Sequence, residues 1–200
     1  QVVEYIQNLH FSEEDVAYLR SKNLFTEEFL DYLLHFKFRG DIYAMPEGTI
    51  MYPNEPVMTV VAPLIDAQLI ETTVLLEINH QSLIATKTNR IVQAASGKPV
   101  SDFGARRAHN VDAAVYGARA AYIGGAVGTA TVLAGKMFGI PISGTMAHSW
   151  VMCFDSEFEA FKAYAESYPD ATVLLVDTYD VLKSGVPNAI RTAKEVLEPM

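Results

Sequence analysis

Cysteine is almost absent. Cys153 is the only one in 200 residues, so the chain can form neither an internal disulfide nor a metal site built on a cluster of thiolates. Positive charge is also scarce. Fifteen Lys and Arg stand against 24 Asp and Glu, for a net charge of −9, and no basic stripe offers itself to nucleic-acid phosphates. Nucleic acid is therefore excluded as an expected partner. No apolar run approaches the roughly 20 residues that cross a bilayer. Gln1-Val2-Val3-Glu4 has neither the basic start nor the apolar middle of a secretory leader. The expectation is a cytoplasmic protein with no membrane contact. Low-complexity tracts, charge blocks and repeats with a period of about 20 to 50 residues are missing too, which argues against long linkers and solenoids.

What is present is hydrophobic matter, half of all residues, enough for a substantial core. Ser12 with Asp15, and Thr26 ahead of Phe29, Leu30, Leu33 and Leu34, predict two short capped amphipathic helices between Ser12 and Phe38. Pro46 to Val61 reads as a hairpin, two β-rich runs joined by the turn Pro53-Asn54-Glu55-Pro56. From Leu64 to about Arg90, Leu69, Leu76 and Leu83 recur at helical spacing without an intervening proline, which predicts one long helix. After Lys98 the pattern changes. Strands at Pro99 to Phe103, Ile140 to Gly144 and Thr172 to Val176 alternate with helices at Val111 to Ile123, Gly128 to Phe138 and Ser156 to Tyr168. Repeated βα units imply a parallel sheet, and three strands are too few to close a barrel. The domain expectation is residues 1–95 for the first region and 96–200 for the second.

In parallel α/β architectures ligands collect at the carboxyl ends of strands. Three clusters follow predicted strands. In Ser101-Asp102-Phe103-Gly104-Ala105-Arg106-Arg107, Phe103 could stack a flat ring and a guanidinium could grip a carboxylate or phosphate; the alternative is a buried Phe and a solvated basic turn. In Gly144-Thr145-Met146-Ala147-His148-Ser149, His148 could carry a proton or accept a phosphoryl group, or simply be bonded in a turn; no second His or Cys lies at ligand spacing for a metal. In Val176-Asp177-Thr178-Tyr179-Asp180, Asp177 could meet ribose hydroxyls and the positive charge of an oxocarbenium-like centre, or cap a helix starting at Tyr179. Asp180 reads as a cap.

Gly124 to Thr131 offers glycines and hydroxyls before a helix, open to either a ligand phosphate or close helix packing. Lys87 could be a Schiff-base lysine of a barrel lyase or, more simply, a solvated side chain. Trp150, Cys153, Phe158, Phe161 and Tyr164 read as packing.

As a set these pieces resemble the nicotinate phosphoribosyltransferase family: Pro46-Glu47-Gly48, Asn54-Glu55-Pro56, Ala67 to Thr72, Leu83 to Lys87, Phe103-Gly104-x-Arg106-Arg107-Ala108, Gly144 to Ser149 and Val176 to Asp180. The resemblance implies the type II phosphoribosyltransferase fold, an α/β fold in which a helical and small-sheet α/β domain portion precedes the first βα units of an irregular αβ barrel, assembled as a homodimer. It implies conversion of nicotinate and phosphoribosyl pyrophosphate to nicotinate mononucleotide and pyrophosphate, with Mg²⁺ and with coupled hydrolysis of ATP as co-substrate. By the same resemblance His148 would be the phosphorylated histidine and Asp177 would sit at the ribose. Phe103 would stack the pyridine ring, Arg106 would contact the phosphoribosyl substrate or nicotinate, and Arg107 and Ser149 would line the same anionic surroundings. A related nicotinamide-using family is the alternative. It carries an aspartate where this chain has Ala130, which favours an anionic ring substituent here.

Members of the family run to about twice this length, the scale of two full domains. The resemblance therefore implies that an amino-terminal aromatic segment and later barrel strands lie outside these 200 residues, which alone are expected to be inactive or to act only as a binding or assembly module.

Overall fold

The computed structural model describes residues 1–198, and it divides into a unit Gln1–Pro141 and a second beginning at Ile142. The first opens with three short helices, α1 (Val2–Asn8), α2 (Glu13–Ser21) and α3 (Glu27–Leu34). Ser12 and Asp15 cap α2 reciprocally, and the Thr26 hydroxyl accepts from Phe29 N–H at the start of α3, as the sequence predicts. Val16, Leu30 and Leu33 bury between these two helices.

The hairpin is present, with one strand shifted. β1 (Asp41–Ala44) pairs antiparallel with β2 (Met58–Val61), so the first strand lies before Pro46, not after it. Two tight turns take up the predicted first run: Thr49 N–H reaches Pro46 O at 3.2 Å with Gly48 at φ 81°, and Glu55 N–H reaches Tyr52 O at 3.2 Å with Asn54 at φ 69°.

Helix α4 (Leu64–Ala94) runs unbroken for 31 residues. Its buried face at the amino-terminal end is Asp66, Ile70 and Val74, at i, i+4 and i+8, whereas Leu76 and Leu83 of the expected stripe are exposed. The helix is apolar around much of its circumference, so periodicity alone does not select the stripe that packs. Ile70 and Val74 form a core with Ile6 of α1 and with Ile42 and Val60 of the hairpin. Asp66 is held by Arg39 and Tyr32, described below.

After α4 come β3 (Ser101–Asp102), α5 (Val111–Ile123), β4 (Gly128–Thr129) and α6 (Val132–Phe138). β3 and β4 are parallel, with Ser101 opposite Gly128 and Asp102 opposite Thr129. Thr129 N–H also donates to Pro141 O at 3.0 Å, so the segment from Ile140 touches this small sheet by one bond. The expected strand at 140–144 is otherwise irregular, since Pro141 has no N–H for a ladder. α6 starts four residues later than expected because Gly128 and Thr129 belong to β4. α5 packs closely on α4: a β-carbon at Gly124 would lie 2.6 Å from Ala85 O, and one at Gly125 would lie 3.3 Å from Val92. Close helix packing is thus the role of these two glycines.

In the second unit, α7 (His148–Met152), α8 (Glu157–Ser167) and α9 (Val186–Thr192) surround a core of Met146, Val151, Ala160 and Phe161. Ser156 caps α8 as predicted, its hydroxyl accepting from Glu159 N–H. The expected strand at Thr172 to Val176 has no ladder partner among the described residues; Leu174, Leu175 and Val176 instead pack on the α8 core. A π-helical turn, Val181–Gly185, leads into α9, and Asp180 caps it by accepting from Leu182 and Lys183 N–H. Phe161 is fully buried, as a packing role requires, whereas Trp150 is partly exposed and ties to α8 by donating its indole N–H to Ala160 O. Cys153 departs from that expectation: it ends α7 and is exposed. Lys87 is exposed, in keeping with its solvated reading. No helix of the described residues is long and apolar enough to cross a membrane.

Candidate functional site

The candidate residues fall in two clusters, one in each unit. In the first unit, register places them. Asp102 faces Thr129 in the parallel pair, so the next residues, Phe103 and Ala130, leave the carboxyl ends of adjacent strands side by side. This is where a parallel sheet offers its ligand sites. Phe103 is 50% exposed, which removes the buried-Phe alternative. After Gly104 the chain makes a 3-10 turn, Ala105–Arg107, whose two arginines are exposed and have no ion-pair partner among the described residues. Ala130 is exposed between Thr129, which is fully buried, and Thr131, which is half-buried. The cluster thus presents an accessible ring face, two guanidinium groups and a small residue without charge.

Two residues that sequence reasoning passes over hold this cluster. The Thr129 hydroxyl donates to Asp102 Oδ2 at 2.8 Å and accepts from Thr131 N–H at 3.0 Å, while Asp102 Oδ1 accepts from Gly104 N–H at 3.0 Å. The signal in the sequence was an acid directly ahead of Phe-Gly and a hydroxyl in Gly-Thr-Ala-Thr, each ordinary without its partner.

In the second unit, His148 is the first residue of α7, and its Nε2 lies 3.1 Å from Asp177 Oδ1. The structure therefore brings together two of the three clusters expected at strand ends, 29 residues apart in sequence, although neither follows a formed strand. Both side chains are half open to solvent, so the pair is available to a ligand. Asp177 does not cap a helix, that role falling to Asp180. Ser149 is exposed beside His148. In the same unit, the buried Glu157 accepts from the Ser184 hydroxyl, which in turn accepts from Asn188 Nδ2 at 3.3 Å. A β-carbon at Gly185 would overlap Val176 O, so the turn that follows Asp180 lies directly against the segment that delivers Asp177.

A fully buried carboxylate, Asp66, lies elsewhere in the first unit. Asp66 accepts from Arg39 N–H at 3.0 Å, from its Nε at 3.3 Å and Nη2 at 3.1 Å, and from the Tyr32 hydroxyl. The Arg39 hydrogen bonds hold its carboxyl below the usual carboxylate range against the opposing effect of burial, and Tyr32 is pushed up chiefly by its bond to Asp66. At the hairpin, Arg119 grips Glu47 through both carboxylate oxygens, at 3.0 and 2.6 Å, which lowers the Glu47 carboxyl.

Residues 1–79 match the model of the nicotinate phosphoribosyltransferase N-terminal domain, and residues 99–190 match that of the nicotinate phosphoribosyltransferase family. A nicotinate phosphoribosyltransferase of Mycobacterium tuberculosis is 53% identical over 195 residues, covering 98% of this chain and 42% of the relative. One from Bacillus subtilis is 50% identical over 195 residues, covering 98% of this chain and 40% of the relative. The crystal structure of human nicotinic acid phosphoribosyltransferase superposes with a TM-score of 0.85 at 28% identity, over 96% of this chain and 48% of that one. A nicotinate-nucleotide pyrophosphorylase from Pyrococcus furiosus gives a TM-score of 0.66 at 30% identity, over 90% of this chain and 51% of that one. The chain thus spans less than half the length of these curated relatives, and over that span it has their type II phosphoribosyltransferase fold. With one model on each side of the helix end at Ala94, in the order of the chain, the protein belongs to the nicotinate phosphoribosyltransferase family.

Proposed function

We propose that the full-length protein joins nicotinate to C1 of the ribose of phosphoribosyl pyrophosphate, releasing pyrophosphate and forming nicotinate mononucleotide, and that it couples this to ATP hydrolysis through His148. The observation that carries the reading is the 3.1 Å pairing of His148 with Asp177 in a chain of this family. Donation of Nε2–H to Asp177 leaves the ring lone pair on Nδ1, the atom that would attack the γ-phosphorus of ATP. The bond from phosphorus to the ADP oxygen breaks as the N–P bond forms, and Asp177 steadies the positive charge that develops on the imidazole. Later transfer of the phosphoryl group to water restores the histidine.

At the ribose, departure of pyrophosphate leaves positive charge on the ring, which an anionic Asp177 would stabilise. Phe103 would stack the pyridine, Arg106 would hold the nicotinate carboxylate or a phosphate, and Arg107 and Ser149 would add donors to the same substrates. Ala130 puts no carboxylate against the anionic nicotinate, which supports nicotinate over nicotinamide.

No three of His, Cys, Asp and Glu among the described residues gather as a metal cage. Mg²⁺ in phosphate chemistry takes one or two carboxylates together with the substrate's own oxygens, and exposed Asp177 fits that demand. When bound, Mg²⁺ neutralises charge on the pyrophosphate. A homodimer in the cytoplasm, with residues 1–95 as part of an α/β domain and 96–200 as the start of the barrel, completes the reading; the positions of the two family models support that division.

The test is nicotinate turnover by the full-length protein with and without ATP. His148→Ala is expected to lose ATP stimulation and keep some transfer; undiminished ATP coupling in that variant removes the phosphohistidine. A wild type that prefers nicotinamide overturns the choice of substrate.

A further inference from the structure

Asp102 lies at the end of β3, and both of its carboxylate oxygens are engaged, Oδ1 by Gly104 N–H at 3.0 Å and Oδ2 by the hydroxyl of the fully buried Thr129 at 2.8 Å. Its carbonyl takes Ala130 N–H at 2.9 Å, and the Thr129 hydroxyl takes Thr131 N–H at 3.0 Å. Two of these four bonds join the adjacent strand ends, and the other two brace the loop that leaves each one. One loop carries Phe103 and hangs the arginine turn from Gly104, whose carbonyl accepts Arg107 N–H at 2.9 Å; the other carries Ala130. Gly104 has an ordinary φ of −84°, so its lack of a side chain serves proximity: a β-carbon there would stand 3.1 Å from Asp102 Oδ1. Each Asp102 oxygen thus already serves the protein, Oδ1 within its own loop and Oδ2 toward the neighbouring strand.

We propose that Asp102, acting through Thr129, is a positioning residue that sets the Phe103 ring and the Arg106 turn against Ala130 and thereby fixes the fit of the pyridine substrate. This rests on the nicotinate reading above. Without the Asp102–Thr129 bond the two loops remain joined by backbone pairing, but the side-chain link that sets their spacing is gone. Loss of alignment by a fraction of an ångström weakens binding of a stacked ring before it affects the fold.

The experiment is steady-state kinetics of the full-length protein bearing Thr129→Val, which keeps shape and removes the hydroxyl, Asp102→Ala, the double variant, and Thr129→Ser. Thr129→Val and Asp102→Ala are each expected to raise KM for nicotinate about ten-fold with kcat at saturation within about two-fold. The double variant should be no worse than either single, and Thr129→Ser should restore KM. A purely structural role would instead lower kcat through loss of folded enzyme and leave KM alone, and that result overturns the proposal. Asp102 is only half-buried, so Asp102→Ala carries the test alone where Thr129→Val does not fold. A wild type that fails to convert nicotinate sinks the functional reading and the positioning role with it; a wild type that converts it while both variants keep its KM sinks the positioning role alone.

Discussion

Replacing Asp66 by Asn tests the account of the first unit most directly. The carboxylate is closed to solvent and receives four donors, three from Arg39 and one from Tyr32. An amide keeps a single acceptor oxygen and turns its NH₂ toward groups that also donate. The Arg39 side chain is 62% exposed and regains water, so the loss falls on the remaining donors and on the new NH₂. Two buried groups left unpaired cost about 1–3 kcal/mol each, which places Asp66→Asn near ~3 kcal/mol. Hydrogen exchange of the α3 and α4 amides at pH 7 should then accelerate on the order of a hundredfold relative to wild type. The pH dependence has a definite sign. The native carboxyl titrates below its unfolded value, so its contribution is complete above about pH 4 and fades as pH falls through the native value. The variant and the wild type should therefore converge in acid. Exchange that differs by less than about two-fold at pH 7, or a ratio unchanged at pH 3, would refute the reasoning.

Further predictions concern the two clusters. Gly185→Ala sets a methyl against Val176 O and should destabilise by more than ~3 kcal/mol, read as a drop in Tm, or else separate Asp177 from His148 and abolish ATP coupling. Phe103→Ala should raise KM for nicotinate more than Phe103→Tyr does, measured at saturating phosphoribosyl pyrophosphate, because the proposed stacking on this half-exposed ring survives only in the tyrosine variant. Ala130→Asp should gain nicotinamide turnover relative to nicotinate in a direct competition assay. Arg119→Lys loses the two-pronged grip on Glu47 and should make the 46–57 segment more open to limited proteolysis.

Legibility in the sequence followed the range of the interactions. Ser12, Thr26 and Ser156 announce their helices because a cap acts over three residues, and α4 declares itself by length and lack of proline. Strands were harder to place. β1 was shifted because the turns at Gly48 and Asn54 occupy what reads as a β run, and β3 and β4 are two residues each, too short for alternation to show. Leu76 and Leu83 read as a packing face and yet are exposed, because hydropathy marks what is apolar but not what it meets. At the clusters, His148, Asp177, Phe103 and Arg106 stood out through motif context, whereas Asp102 with Thr129 and Glu157 with Ser184 did not, since each pair is joined only in three dimensions across 27 residues.

The unbroken course of α4 also bears on how this chain can change its length over evolution. Asp66, Ile70 and Val74 are fitted at one end, and Ala85 and Val92 face the Gly124-Gly125 corner near the other, all on a single helical ruler about 46 Å long. One inserted residue turns everything beyond it by about 100° and slides it 1.5 Å, so neither set of contacts survives a local correction. Gains and losses of sequence should therefore accumulate in the 45–57 and 95–100 connections, leaving the span 64–94 constant in residue count however far its exposed letters drift.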